Sequence, residues 1–169
     1  MGIRSNHYDL AFEEFLRGRQ IPYICVDERR RALLRNASLK SMDFIVYSDC
    51  GRNLLVDVKG RRFPTAPETS RSRWVNWVTH DDIDSLLEWE EVFGSDFRAM
   101  LVFAYHILDP ACEPEFDSIF LHREGRYAFY GVWADEYQEQ MRHRSEKWST
   151  VSVPLAEYRR LRQPIEAFL

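Results

Sequence analysis

The chain has 169 residues, enough for one domain with a substantial hydrophobic core and too few for two. Its 45% apolar and 14% aromatic residues, beside seven Gly and seven Pro, exclude a disordered or fibrous chain. The net charge of −4 argues against a generally basic nucleic-acid binder, but it hides an asymmetry: residues 1–80 carry 14 Lys and Arg against 9 Asp and Glu, a net of +5, and residues 81–169 carry 9 against 18, a net of −9.

Ser5 or Asn6 can cap a first helix from about His7 to Arg17, with Tyr8, Ala11, Phe12, Phe15 and Leu16 as its apolar stripe and Gly18 near its end. Ile21 to Val26 reads as a short strand with Pro22 near its start, where a missing N–H is tolerated. The polar, Arg-rich stretch Asp27 to Lys40 reads as a helical turn or a loop. Met42 to Tyr47 and Leu54 to Val58 are apolar runs of strand length around the turn-forming segment Ser48 to Arg52, which predicts a β-hairpin. Both runs are apolar on both faces, as expected of strands covered on each side by helices.

After a loop from Phe63 to Arg73, Thr79-His80-Asp81-Asp82 forms a variant capping box for a helix carrying Ile83, Leu86 and Leu87 and closed by Gly94. Phe97 to Ile107 is another doubly buried strand, stopped by Asp109-Pro110. The remainder predicts a hairpin (Ser118 to His122 and Tyr127 to Val132), a short helix from Ala134 to Arg142, a strand near Val151 to Val153 and a helix after Pro154. The expected architecture is a single α/β domain over residues 1–169, an αβα sandwich around a central mixed sheet.

Cys25, Cys50 and Cys112 are odd in number and form no CxxC pair, which fits reduced thiols in a cytoplasmic protein. Met1 to Asp9 has no apolar signal core, and no stretch approaches the roughly 18 apolar residues of a membrane span, so secretion and membrane insertion are not expected. The five histidines show no HExxH or HNH-like spacing, and no zinc is assigned. GxGxxG, GxxxxGK[ST] and GxSxG motifs are absent, which leaves nucleotide-dependent and serine-hydrolase readings without support.

The chemistry concentrates on the predicted hairpin. Side chains at i and i+2 of a strand share a face, so Asp57 and Lys59 point the same way. With the turn centred on Cys50, Ile45 faces Leu55 and Asp43 faces Asp57, and cross-strand neighbours of this kind lie roughly 4.5–5.5 Å apart. Two carboxylates and an ammonium then meet on an otherwise apolar sheet. Asp43 and Asp57, with the Val58 carbonyl, can hold a Mg²⁺ ion, which takes oxygen ligands and keeps several waters; Mn²⁺ can substitute. The metal would polarise a phosphate and acidify a bound water, while Lys59 orients the hydroxide or offsets the growing charge. A lone [DE]xK tripeptide is a weak signal, and the competing reading is a structural ion pair of Lys59 with Asp57 or Asp43. Its setting strengthens it, as does lysine usage: the chain has only Lys40, Lys59 and Lys147 against twenty Arg.

Asp43, a hairpin and then Asp57-Val58-Lys59 resembles the PD-(D/E)XK nuclease superfamily, and the acidic first helix is similar to that of its Holliday-junction-resolvase-like branches. The likeness covers roughly Tyr8 to Ile107, with Met42 where the pattern has Pro. The resemblance implies a restriction-endonuclease-like fold, dependence on Mg²⁺ and a nucleic-acid substrate, with DNA the expected one. It further implies a third acid from the first helix. Helical geometry makes Asp9, bordering the apolar stripe, the first choice and Glu13 the second, with Glu14 facing away. Arg29, Arg30, Arg31, Arg61 and Arg62 are the candidate phosphate contacts. Trp74 and Trp77 either stack on unpaired bases or pack in the core. Junction cutting needs two active sites, so a homodimer is the expected assembly in that case. The alternative is a catalytically silent nucleic-acid-binding or protein-interaction module on the same fold.

Overall fold

The computed structural model describes residues 6–27, 32–34, 37–65 and 74–169, with 32–34 and 37–38 described by backbone alone. The predicted basic cluster Arg29 to Arg31 lies outside the described residues.

Helix α1 (His7–Gly18) starts where the Asn6 side chain accepts the Tyr8 N–H at 3.0 Å, and it buries Ala11, Phe12, Phe15 and Leu16. Strand β1 (Tyr23–Cys25) follows. The polar stretch that reads as a helical turn or loop instead contains a hairpin of β2 (Ala32–Leu34) and β3 (Ala37–Leu39), paired Ala32 to Leu39 and Leu34 to Ala37. Its small and apolar residues stand in two short runs around Arg35-Asn36, a two-residue spacing that suits a hairpin better than a helical turn.

Strand β4 (Phe44–Val46) pairs antiparallel with β5 (Asn53–Phe63) in the register Phe44 to Val56, Ile45 to Leu55 and Val46 to Leu54. β5 runs five residues beyond its apolar run. The cause is its neighbour β7 (Phe97–Ile107), which pairs with it in parallel from Asn53 and Phe97 to Phe63 and Ile107 and extends the ladder through Lys59, Arg61 and Arg62. β6 (Val78–Thr79) and α2 (His80–Phe93) make the crossover between them, and α2 is capped by the reciprocal Thr79–Asp82 box.

β8 (Phe120–His122) and β9 (Gly125–Trp133) form the next hairpin, with β9 antiparallel to β7. α3 (Ala134–Gln140) is shorter than expected because Arg142 starts β10 (Arg142–Ser145). That strand is polar throughout and carries no apolar alternation to betray it. β11 (Thr150–Ser152), α4 (Leu155–Leu161) and β12 (Gln163–Pro164) complete the chain of elements.

The main sheet has the order β1-β4-β5-β7-β9-β12, with β8 also paired to β9, and it is mixed: β5 and β7 are parallel and the other pairs antiparallel. β10, β11 and β6 form a separate three-stranded sheet. α1 packs on the face carrying Phe44, Val46, Leu54, Val56 and Val58. The opposite face, with Leu55, Leu101, Phe103 and Tyr105, is covered by residues of α2, α3 and α4. Among the described residues no helix is long and apolar enough to cross a membrane.

Candidate active site

Asp43 stands just before β4, beyond the last ladder pair of Phe44 with Val56. The Asp43 N–H donates to the Val56 carbonyl at 2.9 Å, and the Asp43 carboxylate folds onto β5, where Oδ2 accepts the Val58 N–H at 2.6 Å. The Asp43 side chain is among the neighbours that hold the Asp57 carboxyl down against burial. Two ionised carboxylates that share a site repel each other unless a positive group offsets them.

On the same face of β5, Asp57 Oδ2 lies 2.8 Å from Lys59 Nζ, and Lys59 Nζ lies 3.1 Å from Asp82 Oδ2. Asp82 Oδ1 in turn holds Lys40 Nζ at 2.9 Å, and Lys40 also reaches Thr79 Oγ1 at 3.1 Å. The result is an alternating row, Asp57, Lys59, Asp82, Lys40, with Asp43 at one end. Its inner members are largely removed from water, at 15% exposure for the Asp57 side chain, 18% for Lys59 and 11% for Asp82.

The electrostatics follow from burial and alternation. Burial pushes the Asp57 carboxyl above its ordinary value; Lys59 opposes that shift and Asp82 adds to it. Burial alone would lower the Lys59 ammonium, but the flanking Asp57 and Asp82 carboxylates outweigh it and keep Lys59 charged well above neutrality. Burial would also raise Asp82, yet Lys59, with hydrogen bonds from Lys40 and Thr79, holds it well below the usual carboxylate range.

The local sequence explains how α2 comes to supply an acid here. The Asp82 carboxylate accepts the Thr79 N–H at 2.9 Å and the Thr79 hydroxyl accepts the Asp82 N–H at 3.2 Å, so the capping box fixes the carboxylate that faces Lys59. Lys40 is steadied by its carbonyl, which accepts the Trp89 indole N–H at 2.7 Å, and by its N–H, which donates to Ser85 at 3.1 Å.

No family model and no curated protein matches this sequence. The solved structure of Hjc, a Holliday junction resolvase from the archaeal hyperthermophile Archaeoglobus fulgidus, is similar to it with a TM-score of 0.53, at 12% sequence identity, over 95% of this chain and 96% of that one. The fold is restriction-endonuclease-like. The likeness runs end to end and so includes the elements after Ile107, which the sequence resemblance did not cover.

Within the restriction-endonuclease-like sheet, side-chain parity decides which predicted residues meet. Asp43, Asp57 and Lys59 come together. Val58 points to the other face, into the α1 core, while its backbone stays beside the pair. Asp9 is buried at 2% exposure on α1, the helix that covers that other face. Glu13 is engaged by β1, where its Oε1 accepts from Tyr23 Oη at 3.0 Å and from Arg17 at 3.2 Å. Glu14 faces outward in an exposed pair with Arg17. The acid set beside Lys59 is therefore Asp82 of α2, which the sequence reading took for a helix cap alone. Two signals pointed to this part of the site: a capping-box acid one crossover after the DxK strand, and Lys40, a second of only three lysines.

Arg61 and Arg62 part company for the same reason of parity. The Arg61 guanidinium turns inward, donates to the Gly60 and Trp77 carbonyls and stacks 4.4 Å from the Trp77 ring. Arg62 is exposed, on the side of Tyr8 and His106. Trp74 is a core residue, packed between Phe63, Tyr105 and Phe116 with Arg162 3.6 Å above its ring. Among the described residues, no group of three or more His, Cys, Asp or Glu is arranged to hold a metal ion. The donors that come nearest to fitting one are the buried Asp43, whose carboxylate accepts the Val58 N–H, and the half-buried Asp57 beside Val58.

Proposed function

We propose that this chain is a divalent-metal-dependent endonuclease that hydrolyses phosphodiester bonds in nucleic acid, with DNA as the substrate. The observation that carries the reading is the Asp43–Asp57 carboxyl pair with Lys59 on the same face, on a restriction-endonuclease-like sheet. Asp43, Asp57 and the Val58 carbonyl would hold Mg²⁺, or Mn²⁺ in its place. When bound, the ion supplies Lewis-acid polarisation of the phosphate and a more acidic water.

The chain's own residues do the rest. Lys59 presents an ammonium held charged by two acids, which can donate to a non-bridging phosphate oxygen as negative charge builds there. Asp82 positions that ammonium, and Lys40 and Thr79 fix Asp82. Asp9 is the proposed helix acid from the family resemblance alone, since α1 packs on the opposite face of β5, and Arg62 with Arg29, Arg30 and Arg31 are the proposed phosphate contacts. Four-way junctions are the first substrate to try, because the structural neighbour is a Holliday junction resolvase. A homodimer, with two sites for two strands, and a cytoplasmic location belong to the same proposal.

One observation favours the second reading, a catalytically silent binding module: Lys59 is clamped on both sides by carboxylates, as in a structural ion-pair row. The two readings part in a single set of assays. Wild type, Asp57→Asn and Lys59→Ala are incubated with single-stranded, duplex and four-way-junction DNA and with RNA, in Mg²⁺ or Mn²⁺, and each protein is melted with and without metal. The nuclease reading expects cleavage by wild type, a loss of about 100-fold or more in Asp57→Asn, and a metal-dependent rise in melting temperature that Asp57→Asn lacks. No cleavage together with no metal-dependent rise in wild type would leave the silent module.

A further inference from the structure

The acidic half of the chain holds only nine Lys and Arg, yet Arg142, Arg144 and Lys147 fall within six of its residues, beside His143 and just before Trp148. This segment builds the β10–β11 hairpin. Arg142, His143 and Arg144 are all exposed on β10, and the register shifts between His143 and Ser145, so that Arg144 sits in a bulge. The connecting turn is closed by the Ser149 N–H, which donates to the Glu146 carbonyl at 3.1 Å, with Ser149 at a positive φ of 49°.

Trp148 stands in this turn at 68% exposure, while the other four tryptophans are buried or half-buried. The Lys147 ammonium is 5.4 Å from its ring centroid. Scattered exposed apolar residues are ordinary. A tryptophan held in a tight turn next to a strand of cations is a more specific arrangement, because a flat aromatic face and positive charge together match a base and its phosphate.

The hairpin is also locked to the candidate site. The Ser149 carbonyl accepts the His80 N–H at 2.9 Å, and β11 pairs with β6 through Thr150 to Thr79 and Val151 to Val78. Thr79 is the residue that caps α2, holds Lys40 and fixes Asp82 against Lys59. The turn is thus tied to the frame that holds Lys59, which lowers the ordering cost of using it as a binding platform.

We propose that the β10–β11 hairpin binds nucleic acid at unpaired bases, with Trp148 stacking on a base and Arg142 and Lys147 contacting the flanking phosphates. The inference takes its substrate class from the proposed function and adds a preference for single-stranded or branched substrates over continuous duplex. Arg144 is set apart, since its guanidinium lies 5.4 Å from the Trp77 ring.

The test measures binding without cleavage. Dissociation constants of the full chain are determined by fluorescence anisotropy in EDTA for single-stranded DNA, single-stranded RNA, a four-way junction and a duplex of equal length. Trp148→Ala should weaken binding to the single strands and the junction about tenfold and to the duplex less than about twofold, with a melting temperature within about 2 °C of wild type. Trp148→Phe, which keeps a stacking ring, should stay within about threefold of wild type. Arg142→Ala with Lys147→Ala should weaken every substrate and reduce the salt slope by about 2. An unchanged affinity in Trp148→Ala, or an equal loss on duplex and unpaired substrates, overturns the proposal. A Trp148 effect in a protein that never cleaves with metal sustains the hairpin and removes the nuclease reading, whereas cleavage with no Trp148 effect does the reverse. Absence of binding to every substrate overturns both.

Discussion

The two faces of β5 are closed in different ways. On the α1 side, Ala11, Phe12, Phe15 and Leu16 meet Phe44, Val46, Leu54, Val56 and Val58, a nearly continuous apolar and aromatic contact. On the α2 side, the sheet meets the row Asp57, Lys59, Asp82, Lys40 before the apolar packing resumes around Leu101, Ile83 and Leu86. Apolar packing gains from every methylene removed from water, whereas a buried ionic row at best offsets its own desolvation and is often less stable than apolar side chains of the same volume. An ionic row kept on a sheet that is otherwise apolar is explained better by chemistry than by stability, and this links the comparison to the proposed active site.

The largest stability effect should come from breaking the row. Lys59→Met leaves Asp57 and Asp82 facing each other without their shared cation, and urea denaturation at pH 7 should show a loss of about 3 kcal/mol. Removing the charge of Asp57 as well, in Asp57→Asn with Lys59→Met, should recover at least half of that loss, because one uncompensated carboxylate is gone. A neutral Lys59→Met would mean that the row carries no strong buried electrostatics, and the contrast between the faces would fail.

The neighbouring residue probes the opposite face. Gly60 points toward α1, and a Cβ built on it would lie 2.1 Å from Tyr8 Cδ2 and 2.4 Å from Cγ, atoms near the root of the side chain that cannot swing away without moving the ring. Gly60→Ala should therefore cost about 2 kcal/mol through displacement of Tyr8 at the start of α1. It should leave any metal-dependent rise in melting temperature intact, since the charged row is on the other side. A loss of that rise in Gly60→Ala would show the two faces to be coupled.

This division was partly legible beforehand. The caps at Asn6 and Thr79 announced α1 and α2, and the turn around Cys50 was enough to place Ile45 opposite Leu55, next to which Asp43 reaches the Val58 N–H of β5. The full length of β5 was not, because Lys59, Gly60, Arg61 and Arg62 look like the end of a strand until the parallel partner β7 supplies a ladder for them. Asp82 was hidden in a different way. A carboxylate three residues after Thr79 is fully accounted for by capping, and only the crossover geometry reveals that the same group faces Lys59. The inward turn of Arg61 is a matter of parity: odd positions of β5 face α2, and a guanidinium there finds carbonyls and an indole in place of solvent. β10 escaped notice because hydropathy cannot mark a strand that buries nothing.

The smallest effect concerns the part of the α2 face away from the charged row, where Tyr105, Tyr137 and Tyr158 are fully buried. Tyr105 Oη donates to the Val75 carbonyl at 3.0 Å and lies 2.7 Å from Tyr158 Oη, while Tyr137 Oη donates to the Asn76 carbonyl at 2.8 Å. Burial is the main cause that pushes all three phenols above the ordinary tyrosine range. In the unfolded chain they ionise near pH 10, so above that pH the unfolded state releases protons that the folded state keeps. Their stabilising contribution is complete below about pH 10 and falls as pH rises through the raised folded values. Tyr158→Phe loses the hydrogen bond between the two hydroxyls while Tyr105 keeps the Val75 carbonyl, so it should cost about 1 kcal/mol at pH 7. It also removes one group from the alkaline titration, and urea denaturation at pH 7 and about 10.8 should show the gap between wild type and variant closing as pH rises. A gap that stays constant would mean that Tyr158 ionises as readily in the folded chain as in the unfolded one, contrary to its full burial on this face.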